Sequence, residues 1–128
     1  MALIEAAFAG DIDELRRLIA NGADPNGRGP DGSTPLMSAA VGHSVPALRL
    51  LLEAGADPNL RAADGTTALM KASLWDDDPA CVELLLSHGA DPAAVDADGW
   101  TAGRIAAKKG HARIARLLAY NAGERIRD

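Results

Sequence analysis

The chain has 128 residues, 48% of them hydrophobic but only four of them Phe, Trp or Tyr, which is enough apolar side chain for a domain-sized core of aliphatic and alanine residues. A net charge of −5 argues against nucleic-acid binding, and the single cysteine, Cys81, excludes an internal disulfide. There is no apolar run of the roughly 18 residues a membrane helix needs, and Glu5, Asp11 and Asp13 come too early for a secretory leader, so a soluble cytoplasmic protein without membrane contact is expected. The charge is uneven: residues 1–97 carry 15 Asp and Glu against 6 Lys and Arg, whereas residues 98–128 carry 3 against 7. The basic end reads as a solvated end face or as a basic docking patch.

In chain order, the pattern predicts a helix over 2–9 with the small pair Ala6-Ala7, a break at Gly10-Asp11, and a second helix over 12–20 closed by Asn21-Gly22-Ala23-Asp24. Asp31-Gly32 then offers a turn, because Gly takes positive φ freely and Asp bonds its own backbone nearby. Thr34-Pro35 opens a helix over 35–41, the Thr hydroxyl accepting from a free backbone N–H while Pro at the first position loses no needed donor. Its Ala39-Ala40 pair admits a neighbouring helix backbone at close range. A second helix over 46–54 puts Leu48, Leu51 and Leu52 on one apolar face, and Gly55 is expected to end it at positive φ before Asp57-Pro58-Asn59.

The same unit returns: DGSTPLMSAA from Asp31 becomes DGTTALMKAS from Asp64 and DGWTAGRIAA from Asp98. These predict first helices over 68–75 and 102–109 and second helices over 80–87 and 112–120, with Gly89 matching Gly55. One unit of this size cannot bury its own apolar faces, so neighbours must stack on it, with Leu51 and Leu85 at the centre of the stack.

The main irregularity is LWDDDPACVELLL from Leu74, which replaces the loop between the helices of the third unit. Asp78 before Pro79 reads as a helix start with acid near the positive end of the dipole. A calcium or magnesium site is the sharper reading, but three adjacent carboxylates cannot all face one ion without ligands from elsewhere. Cys81 on a Leu-rich helix reads as a small buried residue. His43, His88 and His111 have no Ser, Cys or carboxylate at a catalytic spacing, and Asn26-Gly27-Arg28-Gly29-Pro30 lacks the Lys-Ser/Thr of a phosphate loop. Neither cofactor nor metal nor catalysis is expected.

Asp-Gly-x-Thr-Pro-Leu, Ala-Ala, Gly-His, a Leu triplet and Gly-Ala-Asp, in that order, resemble the ankyrin repeat over nearly the whole chain. The resemblance implies an all-α repeat solenoid: one domain, 1–128, of four stacked helix-turn-helix units linked by β-hairpin-like turns. The units are 2–28 as an N-terminal cap, 29–61, 62–95, and 96–128 as a C-terminal cap. The sequence departs from the family at Met37 and Met70, where a His that ties neighbouring turns usually follows Pro-Leu, and at Gly103 and Arg104, where Leu and His would stand.

The resemblance also implies a non-catalytic module that binds a protein partner through its turn tips and concave helix face. Carried over by position, the partner-facing residues are Phe8; then Pro30, Asp31, Ser33 and Val41; then Ala63, Asp64, Thr66, Leu74 and Trp75; then Ala97, Asp98, Trp100, Lys108 and Lys109. With Asp76 and Asp77 added, they form an apolar strip rimmed by acid, suited to a basic partner surface and a monomeric binder. Two alternatives stay open: a structural or assembly subunit that self-associates or continues a larger solenoid, and a regulatory inhibitor of one enzyme, since the Thr-Pro-Leu-Met and Thr-Ala-Leu-Met units look like those of small bacterial ankyrin proteins.

Overall fold

A computed structural model describes residues 2–121; the part of the expected C-terminal cap over 122–128 lies outside the described residues. The described residues form α1 (Ala2–Ala9), α2 (Ile12–Ala20), α3 (Pro35–Val41), α4 (Val45–Glu53), α5 (Ala68–Ala72), α6 (Ala80–Ser87), α7 (Ala102–Lys108) and α8 (Ala112–Asn121). The first helices α1, α3, α5 and α7 pack successively against one another, and α2, α4 and α6 form a second row behind them. This is the all-α repeat architecture expected.

The repeated threonine sets each first helix. Thr34, Thr67 and Thr101 stand at the N-caps of α3, α5 and α7, their hydroxyls accepting from the N–H of Met37, Met70 and Arg104 at 3.3, 3.3 and 3.2 Å. The small Ala7, Ala39, Ala40, Ala72 and Ala106 are all buried, as close helix packing requires. Leu51 and Leu85 are both fully buried in one continuous aliphatic core. Gly55 and Gly89 have φ of +100° and +89°, in agreement with the expected helix ends.

One expectation needs correction, and one likeness between units does not hold. The helix expected over 68–75 stops at Ala72, because buried Ser73 at its C-cap turns its hydroxyl back to donate to the Leu69 carbonyl at 2.7 Å. Leu74 and Trp75 therefore sit on the connection and not on the helix. The two Gly-His pairs are also not equivalent. His111 stands immediately before α8, whereas in the second unit that place belongs to Ser44, whose hydroxyl accepts from the Ala47 N–H at 3.2 Å. His43 is consequently shifted into the left-handed position that Gly10 and Gly110 fill elsewhere, at φ +56°.

The connections form a second set of ties. Each turn tip closes on itself, with Gly29, Ala62 and Asp96 donating to the carbonyls of Ser33, Thr66 and Trp100, and each bonds the next: Ala63 N–H to Asp31 O and Ala97 N–H to Asp64 O, both at 3.0 Å. Gly65 has no freedom to change, since φ is +82° and an added Cβ would lie 2.8 Å from the Ala97 nitrogen. The guanidinium groups of Arg28 and Arg61 donate to the carbonyls of Arg61 and Val95, one unit on. Met37 and Met70, at the position of the absent tying His, are buried. Asn26 and Asn59 clip the loops below, their amides donating to Gly55 O and Gly89 O and accepting from the N–H of Asp57 and Asp91. Among the described residues no helix is long and apolar enough to cross a membrane.

Candidate functional site

The ends of the first helices present a row of equivalent positions. Phe8 on α1 and Val41 on α3 precede the break in their units, Leu74 follows α5, and Lys108 ends α7. Phe8 is 57% exposed and Trp75, next to Leu74, 66%, while Val41 and Leu74 are partly covered and Lys108 and Lys109 are exposed. Neither Phe8 nor Trp75 is spent on the core. Large apolar side chains left in water at such positions are unusual enough to mark a surface. Val95 and Tyr120 are also exposed, at 38% and 74%, but they belong to the stretch before the last tip and to α8.

The tips supply the second part. Asp31 accepts from the Ser33 N–H at 3.0 Å, and Asp64 from both the hydroxyl and the N–H of Thr66 at 2.7 and 3.1 Å. The bonds from Ser33 lower the pKa of Asp31, and those from Thr66 lower that of Asp64, with the Lys71 charge helping in both. Both carboxylates are thus firmly charged. They share with Ser33, Ala63 and Lys71 a hollow of about 140 Å³ between the two tips. Lys71 was not picked out from the sequence, although it lies on α5 four residues after the capping Thr67 and so faces the tips. Pro30, Ala63, Ala97 and Asp98 are exposed.

The acidic run after Trp75 works largely inside the fold. Asp78 accepts from the Ala80 N–H at 3.0 Å at the start of α6, as the sequence suggests. Asp77 leaves its own unit altogether: its carboxylate accepts from the N–H groups of Ile114 at 3.0 Å and Arg113 at 3.2 Å, in the first turn of α8. Asp76 and Asp78 lie 3.7 and 3.5 Å from His43 Nε2 in the second unit, within ion-pair reach once the imidazole is protonated. His111, just before α8, adds a contact to the third unit, its Nδ1 lying 3.0 Å from the Ser73 carbonyl. One loop thus touches both neighbouring units.

At the other end, Trp100 is half-buried beneath two cations. The Arg104 guanidinium lies 4.4 Å and the Lys108 ammonium 5.6 Å from the ring centroid, both within cation–π range. Cys81 is buried, and its pKa is pushed up to about 11, chiefly by burial and further by Asp78 and Asp76, so the thiol is protonated at neutral pH. Among the described residues no group of three His, Cys, Asp or Glu could hold a metal ion.

A family model described as Ankyrin repeats (3 copies) matches residues 3–96 and again residues 59–128. No curated protein matches the chain in a sequence search.

Proposed function

This chain belongs to the ankyrin repeat family, whose repeats are generally protein–protein interaction modules, and we propose that it is a non-catalytic binder that holds a protein partner across its first-helix ends and turn tips. The observation that carries this reading is the pair of exposed aromatic side chains, Phe8 near the end of α1 and Trp75 on the connection after α5, beside a position that three successive units hold apolar. Trp is enriched at the centres of protein interfaces, where a desolvated ring contributes about 2 kcal/mol or more. Val41 and Leu74 continue the strip between them, and Asp31, Ser33, Asp64, Thr66 and Asp98 border it at the tips.

The charged tip carboxylates suit a partner with a basic surface there. Asp77 is better read as a support for α8 than as a contact, because its carboxylate is engaged by two backbone donors. The binder works as a cytoplasmic monomer in this reading. The test is affinity capture from the source cell with immobilised wild-type chain and, in parallel, with Trp75→Ala. A protein retained by the first and not by the second supports the surface; equal retention on both removes it.

A further inference from the structure

We propose that Trp100, Arg104 and Lys108 form a second, chemically opposite part of this binding surface, a docking site for an acidic protein segment that carries an apolar side chain. The inference deepens the protein-binding reading and rests on it.

The two cations are held in advance of any partner. Arg104 and Lys108 both lie over the Trp100 ring, at 4.4 and 5.6 Å from its centroid, which restricts two long side chains that otherwise move freely. Among the described residues neither has a carboxylate within ion-pair reach. Residues 98–121 carry Arg104, Lys108, Lys109, Arg113 and Arg116 against Asp98, and the nearby Asp96 carboxylate accepts from the Trp100 N–H at 2.9 Å. Charges positioned in this way, with no carboxylate partner among the described residues, fit carboxylates arriving on another chain.

Beside them is a place for an apolar group. Leu36 and Leu69, each the second residue of its helix, are 1% exposed, but in α7 that position is Gly103, which brings no side chain. Gly103 lines a mainly apolar groove of about 410 Å³ together with Thr101, Arg104, Ala107, Ala115 and Leu118. Arg104 belongs to both halves, so one short segment reaches the cations and the groove together.

Charge complementarity selects the occupant. A nucleic acid would also meet the cations, but its extended charge would be repelled by a molecule of net charge −5, and the ring face under Arg104 and Lys108 is already covered against base stacking. A short acidic segment brings its charge only to the basic end, since exposed charges beyond about 8 Å are screened at physiological salt.

The experiment uses a labelled peptide with a central leucine flanked by three glutamates on each side. It is titrated into a Trp75→Phe chain, in which Trp100 is the remaining tryptophan, and followed by peptide anisotropy and Trp100 emission. The expected result is saturable binding that changes Trp100 emission, is at least tenfold tighter than for the glutamine counterpart, and falls at least tenfold in Arg104→Gln/Lys108→Gln. Arg16→Gln/Arg17→Gln, which removes equal charge at the far end, should leave it unchanged, and circular dichroism checks that each variant is folded. Equal affinity for the glutamine peptide, unchanged binding by the Arg104/Lys108 variant, or tighter binding of a thymidine oligonucleotide of the same charge would each overturn the proposal. A captured partner that still needs Trp75 while the glutamate peptide fails to bind would remove this inference alone and leave the protein-binding reading standing.

Discussion

Asp77 and Ile114 are joined across the boundary between the last two units: the Asp77 carboxylate accepts from the Ile114 backbone N–H at 3.0 Å, 37 residues along the chain. A second bond, from the Arg113 N–H at 3.2 Å, completes a cap that α8 cannot make for itself, because His111 before it has no side-chain oxygen. The irregular loop of the third unit thus has a structural use.

Asp77→Ala should lower the urea midpoint clearly, and more than Asp76→Ala, since among the described residues Asp76 accepts a bond only from the Asp78 N–H within its own loop and lies farther from His43 than Asp78 does. Amide exchange by NMR gives the local check. Exchange at Ile114 should speed up in Asp77→Ala and not in Asp76→Ala; equal effects of the two changes would mean that the cap contributes nothing.

The same loop sets an acid limit. Partial desolvation raises the pKa of Asp77, but the Ile114 and Arg113 N–H bonds and the nearby Arg113 and His111 charges outweigh it, so the carboxyl is held below its ordinary value. Asp78 is also held low, first by the Ala80 N–H and then by His43 and Arg113. Carboxyls with lowered folded-state pKa contribute stability that is fully present above the unfolded value of about 4 and is lost as pH falls through the folded values. Urea midpoints should therefore hold from neutral pH down to about pH 5 and drop below about pH 4. Asp77→Asn should make that drop shallower, and an acid limb identical to wild type would contradict the assignment.

In the core, Leu85→Ala should cost about 2–5 kcal/mol, through lost transfer energy and the cavity left between neighbouring second helices. Equilibrium urea unfolding measures it, and an unchanged midpoint would show that Leu85 is not between layers.

Two glycines separate backbone conformation from close approach. Gly55 has φ +100° with nothing within 4 Å of an added Cβ, whereas at Gly65, φ +82°, that atom would meet the Ala97 nitrogen at 2.8 Å. Gly55→Ala should therefore cost about 1–2 kcal/mol from the left-handed backbone alone, and Gly65→Ala distinctly more, both read by thermal or urea unfolding. Equal losses would mean that the tips do not depend on their close contact.

The repeat was legible because its signals are local: Thr34, Thr67 and Thr101 each cap the helix that follows, and Gly55 and Gly89 each take positive φ where a helix stops. The early end of α5 was hidden, since the bond from Ser73 to the Leu69 carbonyl competes with helix continuation without any glycine or proline to mark it. The shift at His43 shows the limit of matching by residue type, because Gly42-His43 looks like Gly110-His111 while Ser44 does the capping. Exposure at Phe8 and Trp75 follows from the register. The destinations of Asp76 and Asp77 do not, because their partners lie on other units and no local pattern encodes them.

Whether Trp75 is a partner contact decides whether the first-helix face binds. The measurement is a calorimetric titration of the captured partner into wild-type chain and into Trp75→Ala, with urea midpoints of both chains determined alongside. A loss of about 2 kcal/mol or more in binding, roughly 30-fold in Kd, with the midpoint unchanged within error is the predicted result. Wild-type affinity in the Trp75→Ala chain would contradict the first-helix face as the binding surface.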